Sequence, residues 1–307
     1  MRVASIDIGT NTILMLIADV LSDGSLRFVR DEHVIARLGK GVDEGKNILP
    51  DSLERVITTL QQYKEIAEKE RCDRIIACGT SALRDARNQK HVLELVRKRL
   101  GLDIRILSGA EEAQLTYRGA VSGFMREGKT SNFAVLDIGG GSTELTSGIN
   151  DQVQDAKSLD IGSVRLTERF LKSSPPLEGG LEAAQHEIRR NLESIPPLKA
   201  GTEMIGVAGT LTTLAAMNLS FEAYDREKVE GHSLALTTIE SMFDLLKSKS
   251  VAEIRRIPQI LPQRADILLA GVLILLEVMK HLHFDKITAS DRGLRYGLIA
   301  EGNNEGH

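Results

Sequence analysis

The stretch Val3-Ala4-Ser5-Ile6-Asp7-Ile8-Gly9-Thr10-Asn11-Thr12 is a short apolar run, then an Asp, then a glycine turn rich in hydroxyl and amide side chains. A second strand-like run, Ile13 to Val20, follows at once. Phe133-Ala134-Val135-Leu136-Asp137-Ile138-Gly139-Gly140-Gly141-Ser142-Thr143 repeats the arrangement, with Glu144 to Ile149 as its second run. Both read as strand, tight turn, strand. Carboxylates at strand ends can hold a hard cation such as Mg2+. Turns without Cβ bulk let backbone N–H groups come close to phosphate oxygens. Taken singly, each copy reads better as an ordinary hairpin, because short motifs recur by chance. Two copies in the same local context favour a clamp for a phosphorylated ligand, its halves facing each other across a cleft.

The elements around these hairpins alternate. Residues 2–8, 13–20 and 26–35 predict three successive strands, with Asp23-Gly24 as a hairpin turn. Pro50 and Asp51 open an amphipathic helix to about Glu70, carried by Leu53, Val56, Ile57, Leu60, Tyr63 and Ile66. A buried-type strand from Arg74 to Cys78, helices after Gly79 and over His91–Leu100, and a strand at Ile104–Leu107 follow. From Asn132 the pattern restarts, with strands near 133–137, 143–149, 153–159 and 204–208. Helices are predicted near 163–171, 181–194, 210–217, 237–247 and 265–282. Lys286 to Ala289 and Arg292 to Ala300 close the chain as strand and helix. An antiparallel start followed by alternating strands and helices, twice over, predicts a mixed α/β fold of two similar halves. The expected domains are 1–113 plus 288–307, and 114–287.

Composition excludes several classes. The 307 residues are 42% apolar and 27% charged, as in a soluble globular protein. A net charge of −4 argues against nucleic-acid binding driven by overall charge. The most apolar stretch, Ile267 to Val278, falls short of the ~20 residues a bilayer span needs. No signal-peptide pattern opens the chain, so no membrane and a cytoplasmic location are expected. Two cysteines, Cys72 and Cys78, are too few for a disulfide framework and read as reduced thiols.

Several residues could do chemistry. Ser108-Gly109-Ala110-Glu111-Glu112 follows a strand and opens a helix. Ser108 and Glu111 have capping-box spacing, which gives Glu111 a structural role and leaves Glu112 spare. Glu112 then either complements the helix dipole or acts on water beside a phosphate. Gly79-Thr80-Ser81-Ala82-Leu83-Arg84 and Gly206-Val207-Ala208-Gly209-Thr210 are strand-to-helix junctions, where outward N–H groups attract anions. Arg84 reads equally as a planar fork for phosphate or as a solvated arginine. Gly162-Ser163-Val164-Arg165 and Gly231-His232-Ser233 are weaker signals. No P-loop pattern occurs.

Jointly these segments resemble the exopolyphosphatase / guanosine pentaphosphate phosphohydrolase (Ppx/GppA) family. The matching stretches are SIDIGTNT at 5–12, GTSALRDARN at 79–88, ILSGAEEAQL at 106–115, LDIGGGSTEL at 136–145, IGSVRLTE at 161–168, GVAGTLTTLAA at 206–216 and SDRGLRYGLI at 290–299. The resemblance implies two actin-like, sugar-kinase-like (ribonuclease H-like) α/β domains with an interdomain cleft. It implies cleavage of the terminal phosphoanhydride of inorganic polyphosphate, and extends to guanosine tetra- and pentaphosphate as ligands. It implies Glu112 as the catalytic carboxylate, and Asp7, Asp137 and Glu144 around Mg2+, with K+ as a candidate monovalent ion. Thr10, Asn11, Arg84, Gly139, Gly140, Gly141, Ser142, Gly209 and Thr210 are then the phosphate-side residues. A homodimer is the expected assembly. The rival readings are a phosphotransferase of the same superfold and a non-catalytic guanosine phosphate or polyphosphate sensor. Longer family members carry further C-terminal helical domains, which puts long-chain processivity in doubt. The closing segment reads Gly293-Leu294-Arg295-Tyr296-Gly297 where GLREG is frequent.

Overall fold

Arg2–Ile8 (β1) is buried over most of its length, Ser5 included, because it lies mid-sheet. In the computed structural model, which describes residues 1–125, 128–221 and 224–304, β1 pairs antiparallel with Ile13–Val20 (β2). Beyond β2 lies Leu26–Val34 (β3), also antiparallel. The chain continues through Val42–Gly45 (α1) and Pro50–Lys69 (α2) to Arg74–Gly79 (β4), which joins the other side of β1 in parallel. Ser81–Asp85 (α3) and Gln89–Leu100 (α4) lead to Ile104–Ile106 (β5), parallel to β4. The sheet order is β3-β2-β1-β4-β5. Gly109–Val121 (α5) follows.

Period two sorts the two faces of β1. Ala4, Ile6 and Ile8 pack with Leu53, Val56, Leu60 and Tyr63 of α2 and Val92 and Val96 of α4. Val3 packs on the other face with Leu16, Tyr296 and Ile299. Those last two belong to Leu294–Asn304 at the end of the chain, and the hydroxyl of Ser5 donates to the Arg295 carbonyl at 2.9 Å. Buried Arg295 also pairs with Asp31 of β3. Residues 1–119 with that last helix form one unit.

Residues 120–293 form the other unit. Asn132–Ile138 (β6) has the burial pattern of β1, position for position. It pairs antiparallel with Thr143–Ile149 (β7), which pairs antiparallel with Gln152–Leu159 (β8). Ser163–Phe170 (α6) and Glu178–Leu192 (α7) precede Glu203–Val207 (β9), parallel to β6. Ala208–Asn218 (α8), Arg226–Val229 (α9), Ser233–Ala235 (β10), Leu236–Lys247 (α10) and Val251–Ile254 (α11) come next. A 3-10 turn at Pro262–Arg264 leads into Leu268–His281 (α12), then Lys286–Ala289 (β11) and the last helix, α13. The order β8-β7-β6-β9-β11 repeats the first sheet, with β10 added antiparallel to β11. Two mixed sheets of this order are the doubled α/β architecture of the actin-like, ribonuclease H-like class.

Leu268 to Met279 of α12 are all buried, as a helix apolar all round must be. The one carboxylate among them, Glu277, accepts bonds from Gln185 and Arg189 of α7, which offset its desolvation. Among the described residues, no helix is long and apolar enough to cross a membrane. Cys78 is buried, Cys72 is half-buried, and both are free thiols.

Candidate active site

The two hairpin turns close in the same way. The Gly9 N–H donates to the Thr12 carbonyl at 3.1 Å, and the Gly139 N–H to the Ser142 carbonyl at 3.0 Å. A Cβ on Gly9 or Gly139 would lie 2.9 Å or 3.0 Å from that same carbonyl oxygen, so a side chain at either position crowds the turn's own hydrogen bond.

Each turn is then held from behind by the segment leaving the third strand. In the first unit the Thr10 carbonyl accepts from the Gly39 N–H at 2.7 Å and the Asn11 carbonyl from the Arg37 N–H at 2.9 Å. The Thr10 methyl packs against Gly39. In the second unit the start of α6 does this work. The Gly139 carbonyl accepts from the Ser163 N–H at 2.9 Å, and the Gly140 carbonyl from Val164 at 2.9 Å and Arg165 at 3.1 Å. The Gly141 carbonyl accepts from Arg165 Nε at 2.7 Å. No side chain caps α6, whose N-cap is Gly162; the turn's carbonyls satisfy its first N–H groups instead. A Cβ on Gly162 would lie 2.5 Å from the Gly140 carbonyl carbon.

A planar trans peptide points its N–H opposite its C=O. Carbonyls 139, 140 and 141 all face α6, so the N–H groups of Gly140, Gly141 and Ser142 all face away from it. Three successive donors aimed one way make an anion-binding concavity. In the first turn the N–H groups of Asn11 and Thr12 likewise point away from Gly39 and Arg37.

The acidic groups of the two copies differ. Asp7 lies opposite Leu14 in the β1–β2 register, whereas Asp137 lies opposite Glu144 in β6–β7. Directly opposed residues of an antiparallel pair share a face, so the second unit places two carboxylates side by side. Ser158 donates its hydroxyl to Glu144 at 2.7 Å. Among the described residues no group of three or more His, Cys, Asp or Glu side chains gathers as a metal set. Mg2+ is usually held by one or two carboxylates plus substrate phosphates, and the Asp137–Glu144 pair fits that chemistry.

In the first unit, Asp7 falls on the same face of β1 as Val3 and Ser5, opposite Cys78 of β4. Cys78 packs with Leu115 of α5 and Leu294 and Leu298 of α13. Burial pushes its thiol pKa well up, and the negative fields of Asp7 and Glu112 add to the rise.

Glu111 and Glu112 have opposite environments. The Ser108 N–H and hydroxyl donate to Glu111 at 2.8 and 2.7 Å, and the Glu111 N–H donates back to Ser108 Oγ, forming the capping box. The bond from Arg105 above all, and then those from Ser108, lower the Glu111 pKa to about 2. Glu112 is buried, and desolvation raises its pKa while Arg84 opposes the rise. Arg84 Nη1 donates to Glu112 Oε2 at 2.9 Å and to the Leu107 carbonyl at 3.0 Å. Two candidates the sequence treats separately are thus partners.

The junctions after β4 and β9 also match. The Leu107 N–H donates to the Gly79 carbonyl at 3.0 Å, and the Ser290 N–H to the Gly206 carbonyl at 2.9 Å. Ala208 takes the left-handed φ of 68°, which residues with a Cβ seldom adopt outside functional turns. Thr210 turns its side chain to Gly271 of α12, and Gly209 lies under the Arg264 guanidinium. Arg165 and Arg264 pack on the two glycine segments and are not among the phosphate-side residues read from the sequence. Arg165 left a trace in the Gly162-Ser163-Val164-Arg165 stretch, whereas Arg264 left none.

The family model for the Ppx/GppA phosphatase family matches residues 16–304. The chain belongs to that family. Exopolyphosphatase 2 of Mycobacterium tuberculosis (strain ATCC 25618 / H37Rv) is 35% identical over 317 aligned positions, covering 97% of each chain. The crystal structure of the Aquifex aeolicus Ppx/GppA family member is 34% identical with a TM-score of 0.84, covering 100% of this chain and 99% of that one. The exopolyphosphatase structure from Cytophaga hutchinsonii is 28% identical with a TM-score of 0.88, covering 98% of both.

Proposed function

We propose that this Ppx/GppA phosphatase is an exopolyphosphatase, which hydrolyses the terminal phosphoanhydride of inorganic polyphosphate and releases orthophosphate. The observation that carries the reading is Glu112: buried, held by Arg84, and free of the capping duty that occupies Glu111. Such a carboxylate positions a water and takes its proton. The N–H groups of Gly140, Gly141 and Ser142, and of Asn11 and Thr12, offset negative charge on phosphate oxygens. Phosphoryl transfer relies on this kind of positioning and electrostatics more than on covalent help. Asp137 and Glu144 would hold Mg2+, which when bound neutralises charge on the phosphates.

Orthophosphate release should be measured side by side on short polyphosphate, long polyphosphate and guanosine pentaphosphate, with wild type and Glu112→Gln. Release from polyphosphate without an acceptor, lost in the variant, supports the reading. Binding without turnover would support a sensor instead, and a need for an acceptor would support a phosphotransferase. Preferential turnover of guanosine pentaphosphate would move the substrate to the nucleotide branch.

A further inference from the structure

We propose that Arg165 is a positioning residue for phosphate binding, supplying both a clamp and a charge behind the Gly139–Ser142 turn. The inference rests on the phosphate role given to that turn above. Arg165 is 7% exposed, and two of its donors serve successive carbonyls: its N–H meets Gly140 and its Nε meets Gly141. In the first turn, backbone N–H groups of Arg37 and Gly39 hold the carbonyls. In the second turn a guanidinium is bonded to one of the carbonyls as well.

Fixing the Gly141 carbonyl fixes the Ser142 N–H, since the two belong to one planar peptide. The guanidinium lies on the carbonyl side, one peptide away from where an anion meets the outward donors. Its burial weakens solvent screening, so its charge acts on that anion through protein rather than through water. An arginine in this place does two separable things. The Nε bond sets the direction of a donor, and the charge raises affinity for a polyanion.

Three substitutions separate them. Arg165→Gln keeps a planar donor without charge, Arg165→Lys keeps charge without the planar Nε, and Arg165→Met removes both. Wild type and variants are compared by calorimetric titration with inorganic tripolyphosphate, by melting temperature and by orthophosphate release. Arg165→Met should lose about 10²-fold in kcat/KM, the scale on which misplaced groups reduce catalysis. Melting temperature should follow the donor, recovering in Arg165→Gln. Tripolyphosphate affinity should follow charge, recovering in Arg165→Lys. The Gln and Lys pair carries the test if Arg165→Met does not fold.

Wild-type affinity in both Arg165→Gln and Arg165→Met, or affinity that merely tracks melting temperature across the series, overturns the proposal while the turn keeps its phosphate role. A wild-type chain that neither binds nor cleaves tripolyphosphate overturns that role, and this proposal with it.

Discussion

Nη1 of Arg84 lies 2.9 Å from Oε2 of Glu112, so a cation from α3 and an anion from α5 hold each other within one unit. Burial raises the Glu112 pKa, Arg84 pulls it down, and Asp85 adds to the rise. A base works only when ionised. Activity should therefore climb with pH along a limb above the ordinary carboxylate range. Arg84→Met removes the downward pull and should shift that limb to higher pH in the profile of kcat/KM. A limb that stays in place or moves down would show that Arg84 does not tune this group.

Glu112→Gln should lower turnover by about 10²- to 10⁴-fold, the usual worth of a positioned base. Stability should respond in the opposite sense. A carboxylate with a raised folded-state pKa costs no stability below its unfolded pKa. The cost appears as pH rises through the folded pKa. The variant's melting temperature should equal or exceed that of wild type at about pH 8, and the two should converge near about pH 4. A variant that melts well below wild type at high pH would give Glu112 a structural role instead.

Glu111 makes the matching control. Its pKa is lowered to about 2 from 4.5, so its bonds stabilise the fold above the ordinary value and are lost as pH falls toward 2. Glu111→Gln should flatten that acid limb of stability and leave kcat within about twofold, as expected away from reacting atoms. Loss of turnover as deep as that of Glu112→Gln would contradict the division of labour between the two residues.

The unequal acidic pairs lead to a metal prediction. Asp137→Asn and Glu144→Gln should each raise the Mg2+ concentration giving half-maximal orthophosphate release, by about tenfold for a lost ligand. Leu14→Met, at the equivalent place in the first unit, should leave it unchanged. The comparison is a Mg2+ titration of the three variants. Equal responses at all three positions would remove the Asp137–Glu144 pair from metal binding.

Glycine substitutions probe the turn support. An alanine Cβ at position 162 would lie 2.5 Å from backbone of Gly140, so Gly162→Ala should displace the turn and depress both activity and melting temperature. At Gly179, in the first turn of α7, a Cβ meets nothing within 4 Å. Gly179→Ala should stabilise by about 0.5–1 kcal/mol, measured by denaturant unfolding, with activity unchanged.

Legibility followed the range of the forces involved. The hairpins were readable because a mid-sheet strand needs a nearly unbroken apolar run, and Asp7 and Asp137 interrupt it at the same place. Glu112 stood out because capping spacing spoke for Glu111 alone. The guanidinium of Arg165 reaches a carbonyl 24 residues earlier, a pairing no local pattern encodes. Arg264 meets Gly209 only through the tertiary fold. Helices α1, α9 and α11, four residues each, are too short to show a period. Helix α7 starts at Glu178, ahead of the expected 181, because Gly179 and Gly180 weaken the local helix signal.

The last helix covers a face of the sheet that the first strand begins. Val3, Leu16 and Ser5 therefore wait for Tyr296, Ile299 and Arg295 until all the residues between them have been made. Residues 120–293 are contiguous and can finish folding on the ribosome while the earlier-made unit still exposes its unfilled flank. The portion synthesised first is thus the one completed last, and a nascent chain stalled before Leu294 should be a client for holding chaperones.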